Sequence, residues 1–178
     1  MWMRPDGARS PSLALATSTT RIGEDPSVRD LVLASRDVAD VYHRLVLLVA
    51  PIASGKSDML ASVASDEGWA LLNVNRVLAE NLLEMDSRER AIRCKAVLVD
   101  AISMAGSGTV VLDNIEMLFE EHLQQDPLRL LKGLSRTTTL VVSWPGEFDG
   151  RSLTFAEPGH RDYRKYSDPE VRILSMHN

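Results

Sequence analysis

The chain has 178 residues, 44% of them hydrophobic and 25% charged, and a formal net charge of −5. That balance excludes a disordered or collagen-like chain, argues against a globally basic nucleic-acid binder, and leaves room for one domain. A single cysteine, Cys94, rules out an intrachain disulfide and fits a reducing, cytosolic home, while the most apolar stretch, Leu45 to Ala53, is far shorter than the roughly 20 residues that span a bilayer.

Residues 1–24 read as a polar, flexible leader, the alternatives being an upstream start or a docking tail. Arg4 precedes an apolar patch, Leu13-Ala14-Leu15-Ala16, that is shorter than the apolar region of a signal peptide, and Ser10-Pro11-Ser12 interrupts the approach to it. A helix is predicted from Pro26-Ser27, with Leu31, Val32, Val38, Val41 and Tyr42 at helical spacing. Leu45 to Val49 is a continuous apolar run, as in a strand of a parallel sheet buried on both faces. Further strands are predicted at Trp69 to Val74, at Thr109 to Leu112 after a Gly106-Ser107-Gly108 turn, at Thr139 to Trp144 with Pro145-Gly146 as the stop, and, more weakly, at Leu153 to Phe155.

Helical patterns fill the gaps: Ser57 to Ala64, Asn75 to Glu84, and a longer helix opened by the capping pair Asp86 and Glu89, with Ala91, Cys94, Leu98, Ile102 and Ala105 on one face. Ile115, Leu118, Phe119 and His122 form a further face, and Asp126-Pro127 opens a helix over Leu128 to Leu134. Strands alternating with helices predict an α/β fold with about five mainly parallel strands. The domain is predicted over 25–166, with 167–178 as a C-terminal tail.

The sharpest motif is Ala50-Pro51-Ile52-Ala53-Ser54-Gly55-Lys56-Ser57. It matches the phosphate-binding loop, with alanine where the first glycine usually stands. Gly55 lets backbone approach a phosphate, successive N–H groups make an anion nest, and the following helix aims its positive end at the same place. Lys56 can reach the β- and γ-phosphates and Ser57 can offer a hydroxyl to Mg²⁺. The loop follows a strand and precedes a helix, as the motif requires. Ala50 is tolerable only if its position needs no positive φ.

Thr109 to Asp113 is a strand ending in a carboxylate, the pattern of the Mg²⁺-side aspartate of a nucleoside triphosphatase. A parallel strand beside the loop strand would put Asp113 at the carboxyl edge of the sheet, where it could hold a water on the metal or contact Ser57. The plainer alternative is a helix cap, and the two roles can coexist. Many triphosphatases of this class carry glutamate next. Here Asn114 holds that position and cannot act as a base, so Glu116 is the nearest catalytic carboxylate, provided the chain turns into a helix at once. Slow intrinsic hydrolysis follows. In such a fold the strand between the loop strand and the acidic strand often ends in a polar side chain that senses the γ-phosphate, and Ser143, ending the fourth strand, is the candidate.

His160 to Tyr166 is a small basic, aromatic cluster. Arg161 and Arg164 in it are candidates for contact with DNA by charge and stacking, or for insertion into a neighbour's nucleotide site, against a plain reading as a solvated tail. Arg136 is another candidate trans-acting arginine. His43, His122, His160 and His177 show no metal-ligand spacing, and Cys94 reads as a core residue.

Several segments together resemble a known family. Tyr42 to Val49 leading into the loop, Val111 to Glu116, Leu134-Ser135-Arg136, Val142 to Gly146, and Leu153 to His160, in this order and in so short a chain, resemble BrxF, the small P-loop protein of type III BREX bacteriophage-exclusion systems. The resemblance runs from about Val41 to Tyr166. It implies a bacterial cytoplasmic defence protein that works beside larger BREX components, including a methyltransferase, ATPases and a phosphatase-like component. It carries over the nucleotide loop, Ala50 to Ser57, and Asp113.

The expected function is an ATP-binding, weakly hydrolysing switch of the AAA+ kind with Mg²⁺ as cofactor, acting as an oligomer. The link from Trp144 to Leu153 has no room for a long helix, so the fold expected is a minimal three-layer P-loop NTPase core without a helical lid domain. One alternative is a non-hydrolysing adaptor with structural nucleotide, which Asn114 and Ala50 favour. Another is a small-molecule kinase whose arginine-rich lid would be Arg88-Glu89-Arg90-Arg93.

Overall fold

A computed structural model describes residues 25–106 and 108–176. The expected leader, Ser107 and His177 lie outside the described residues. The first helix, α1 (Val28–Asp37), opens on Ser27, whose side chain accepts from the Asp30 amide while the Asp30 carboxylate accepts from the Ser27 amide. It stops at Asp37, so Val41 and Tyr42 belong to the following turn and not to the helix. The central strand β1 (Leu45–Ala50) is buried along its whole length, and α2 (Lys56–Glu67) follows after a tight loop. Next come β2 (Ala70–Asn73), α3 (Val74–Leu82) and α4 (Ser87–Met104), the last capped reciprocally by Asp86 and Glu89. Strand β3 (Thr109–Asp113) runs into two short 3₁₀ turns, 116–119 and 121–123, where helical spacing suggested one longer face. Helix α5 (Pro127–Leu134), with Asp126 as cap and Pro127 in its first turn, leads to β4 (Thr139–Phe148).

Five parallel strands lie in the order β2-β3-β4-β1-β7, where β7 is Arg172–Ser175. β4 lies between β3 and the loop strand, the place expected for the strand that carries Ser143. The order corrects the expected end of the chain, because 172–175, expected in the tail, is the edge strand paired with β1 through Val46↔Arg172 to Val49↔Ser175. The segment expected as the weaker fifth strand, β5 (Ser152–Phe155), pairs antiparallel with both β4 and β6 (Arg164–Ser167), and β7 is the fifth parallel strand. Nor does β4 stop at Pro145-Gly146. Its partner changes there: Ala50↔Pro145 is the last row with β1 and Gly146↔Phe155 the first with β5. A proline sits where one ladder ends and the next begins.

Helices cover both faces of the parallel sheet, which is why the central strands are apolar without alternation. One face carries Leu45, Leu47, Val49, Leu112, Val142 and Trp144 against α3, α4 and α5; the other carries Val46, Leu48, Val111, Val141 and Leu174 against α1 and α2. The β5–β6 hairpin is pinned by aromatic rings. Phe119 stacks on Phe155 with centroids 3.5 Å apart and meets Trp144 edge-on at 5.2 Å. The Trp144 indole Nε1 donates to the Thr154 carbonyl at 2.8 Å. Gly146 lets the strands approach: a Cβ there would collide with that same Thr154 carbonyl. Gly146→Ala should therefore cost about 3 kcal/mol of stability by urea denaturation, as overpacked positions do; a loss within ±0.5 kcal/mol of wild type, the surface norm, would mean that the hairpin is not held as described.

Cys94 is fully buried on α4, and burial pushes its thiol up to about 11. An unfolded thiol titrates near 8.5. Between about pH 8.5 and pH 11 the unfolded chain releases a proton that the folded chain keeps, so stability falls as pH rises through that window. Denaturation at pH 8 and pH 10.5 should show a larger loss for the native chain than for Cys94→Ala; equal losses would exclude the thiol as a source.

Candidate functional site

The site starts where β1 runs out of partners. After Ala50 the chain must turn from the sheet edge into α2, and it does so through Pro51 to Gly55. Ala50 itself is extended, in register with Pro145, so an alanine stands there without strain. Two other loop residues take positive φ, Ala53 (63°) and Gly55 (83°). For Gly55 that conformation is free; for Ala53 it costs about 1–2 kcal/mol. Gly55 is also the N-cap of α2 and offers no side-chain acceptor to the first turn. The result is a concave wall of backbone, with a cavity of about 320 Å³ lined by residues 53–58, at the positive end of a 12-residue helix. Such a wall attracts anions.

Lys56 crosses this loop. Its ammonium donates to the Ala50 carbonyl at 2.7 Å and the Pro51 carbonyl at 2.6 Å, with Ser54 Oγ at 3.4 Å. The residue is 6% exposed. Burial pulls its pKa below the ordinary lysine value, and the charges of Asp113 and Glu116 push the other way. Residues far apart in sequence thus share one electrostatic site.

The pleat explains their convergence. Val111 and Val141 face α2, so Asp113 and Ser143, two residues further along their strands, face the same side. They lie one step beyond the paired row Leu112↔Val142, at the carboxyl edge of adjacent strands. Ser143 is buried and level with Leu48 of β1. Lys56, Ser57, Asp113 and Ser143 therefore belong to one edge and one face. Ser57 contributes a hydroxyl at the start of α2, and Ile52 is largely exposed at the loop's tip.

Past Asp113 the chain turns at once. Asn114 takes a left-handed φ of 53°, which asparagine tolerates, and Glu116 opens the 3₁₀ turn. Glu116 has a partner that sequence reading missed: Asn75. The Asn75 side-chain amide donates to Glu116 Oε2 at 2.9 Å, its carbonyl oxygen accepts from the Met117 amide at 2.9 Å, and its own amide donates to the Asn114 carbonyl at 2.9 Å. An asparagine in the first turn of a helix looks like a local cap, so only the pairing of β2 with β3 could reveal this contact. Chemically the edge offers an anion-binding wall, one ammonium, two hydroxyls and two carboxylates. Hydroxyl and carboxylate oxygens suit a hard divalent cation such as Mg²⁺. Among the described residues no group of three or more His, Cys, Asp and Glu is placed to hold a metal.

Of the arginine candidates, Arg136 lies at the opposite edge. Arg136 follows α5 at the amino ends of β1 and β4, where the Arg44 amide donates to the Ser135 carbonyl. That is on the order of 20 Å from the loop along a six-residue strand. Its guanidinium lies over the exposed Tyr42 ring at 4.8 Å. Arg161 lies 3.5 Å from Glu121 and 3.9 Å from Asp162, and Arg164 donates to the Tyr163 carbonyl at the start of β6. That cluster is folded into the hairpin and is not a free tail. Arg90 is committed to the carbonyls of Leu82, Leu83 and Met85, capping α3.

Replacing Asn75 by alanine removes two side-chain hydrogen bonds and leaves the Met117 amide without its acceptor. The expected loss is about 2 kcal/mol by urea denaturation; stability equal to wild type would show that the β2–β3 junction does not depend on this residue.

No family model matches the chain, and no solved structure matches it. Among curated proteins the chain is 26% identical, over 126 residues, to a reducing polyketide synthase (ppsB) of Aspergillus oryzae. The match covers 69% of this chain and 5% of that protein. Among the described residues no helix is long and apolar enough to cross a membrane.

Proposed function

We propose that the chain is a P-loop nucleotide-binding protein that takes ATP with Mg²⁺ and hydrolyses it slowly. The observation that carries this reading is the Lys56 ammonium held across the loop by the Ala50 and Pro51 carbonyls. Anchored there, the charge stands over a concave backbone wall at a helix start, on the same sheet edge as Asp113 and Ser143. A triphosphate meets N–H groups, a helix dipole and one cation, each favouring negative charge. The strand order, with β4 between the loop strand and the acidic strand, supports the same reading and the AAA+-like core expected from the motifs.

In this reading Ser57 and Asp113 would hold Mg²⁺, which would supply charge neutralisation at the phosphates. Lys56 balances charge on the β- and γ-phosphates, and Ser143 hydrogen-bonds a γ-phosphate oxygen. Glu116 accepts the proton of the attacking water, while Asn114, which has no basicity, leaves that task to it. The Asn75 side-chain amide already occupies Glu116 Oε2, so taking a proton there competes with that hydrogen bond and turnover is slow. A second reading, a non-hydrolysing adaptor, draws on the same hydrogen bond. The kinase reading loses support because Arg90 is committed to capping α3.

The resemblance to BrxF extends the proposal: a bacterial cytoplasmic protein acting as a homo-oligomeric switch beside other BREX components. DNA contact through Arg136, or through Arg161 and Arg164, belongs to the same proposal.

Calorimetry with ATP and Mg²⁺ tests the site. Lys56→Ala should weaken ATP binding at least about 10-fold, the worth of a charge-assisted hydrogen bond. Glu116→Gln should retain binding and lose phosphate release. Wild-type protein that takes up no nucleotide defeats the reading; binding without phosphate release in any form favours the adaptor.

A further inference from the structure

A nucleotide has a second end, and a separate cavity beside the loop has the opposite chemistry. Above the carboxyl ends of β1 and β7, flanked by the part of β4 that overhangs the sheet, lies a space of about 420 Å³. That is within the range of about 300–1,000 Å³ typical of small-molecule sites. Ligands of open α/β sheets bind beyond the carboxyl ends of the strands, which is where this space lies. Pro51, Phe148 and Met176 give it apolar walls. Its polar side chains are Ser175, Glu147 and Asp149; among the described residues no lysine, arginine or histidine lines it, although the charge of Lys165 also acts on Asp149.

Each polar group is suited to receive a hydrogen. Ser175 Oγ is buried and makes no hydrogen bond among the described residues. Glu147 is exposed at the rim and forms no ion pair among the described residues. Asp149 Oδ1 accepts from the Ser152 amide at 2.6 Å and the Arg151 amide at 2.8 Å, which fixes the carboxylate in place. These backbone bonds hold its carboxyl below the usual carboxylate range, so it stays an anion at neutral pH. Such a rim repels phosphate and attracts N–H donors on a flat apolar body. The loop does the reverse. Pro51 connects the two, lining this cavity while its carbonyl holds the Lys56 ammonium.

We propose that this cavity seats the base of the nucleotide whose phosphates the loop holds, and that its acceptors select bases carrying an exocyclic amine. The proposal rests on the phosphate-loop reading, and tripolyphosphate separates the two. Competition against a fluorescent ATP analogue, with Mg²⁺, compares ATP, GTP, ITP and tripolyphosphate on the full chain. ITP, whose base has no exocyclic amine, should bind about 10-fold more weakly than the better of ATP and GTP, and tripolyphosphate more weakly still. Met176→Trp, which fills the cavity, should bring ATP down to the affinity of tripolyphosphate and leave tripolyphosphate unchanged. Glu147→Gln, at an exposed position, should narrow the amine preference to within about 3-fold without altering the far-UV spectrum or tripolyphosphate binding. Tripolyphosphate bound as tightly as ATP, or wild-type base preference in both variants, overturns the base site and leaves the loop intact. Should Met176→Trp fail to fold, the Glu147→Gln ratio decides. Failure of both ATP and tripolyphosphate to bind removes the loop reading, and the base site with it.

Discussion

The candidate site depends on how one buried strand leaves the sheet. β1 is covered on both faces and paired on both sides, so its end cannot drift. The chain must turn within five residues into a helix that packs back on the same sheet. Two left-handed residues make the turn, and the Lys56 ammonium bonds to the carbonyls at its entrance. The lysine satisfies them and is thereby held in place. The same contact completes a polar turn beside an apolar core and fixes a positive charge where the helix dipole is also positive. Asp113 and Glu116 make that concentration of charge tolerable, since their fields oppose the penalty that burial places on the ammonium.

A second constraint acts on the acidic side. β3 ends in Asp113, and the next residues must reverse direction without unravelling the strand. Asn114 supplies the left-handed step, and Asn75 closes the junction from the neighbouring strand–helix connection. The two connections after β2 and β3 are therefore one unit. In the proposed hydrolysis this matters because the Asn75 amide occupies an oxygen of the carboxylate that takes the proton.

Above these edges, β4 runs on past its last row with β1 and takes up a hairpin. Trp144 links the two regimes: its ring lies in the core and its indole N–H reaches the hairpin backbone. The overhang gives the carboxyl edge a wall on one side, and the edge strand β7 gives it another. Both walls line the larger cavity, so the chain segments that seemed least informative shape the space next to the loop.

The amino-acid sequence by itself determined the α/β class, the places of the loop and of the acidic strand end, and the caps at Asp86 and Asp126. Each depends on residues close together in the chain: a continuous apolar run, a glycine-lysine-serine turn, a carboxylate three residues before an amide. Tertiary structure alone decided the rest. Arg172-Ile173-Leu174-Ser175 has no periodicity that marks a strand, and it becomes one because β1 has an open edge. Leu153 to Phe155 has strand character, yet pairing with β4 and β6 turned it antiparallel. Asn75 and Glu116 are 41 positions apart, and Arg136 went to the amino edge of the sheet because its backbone neighbours joined Arg44 there. Hydrogen bonds between strands and contacts across a sheet carry no local signature, so what they bring together becomes visible only once the chain is folded.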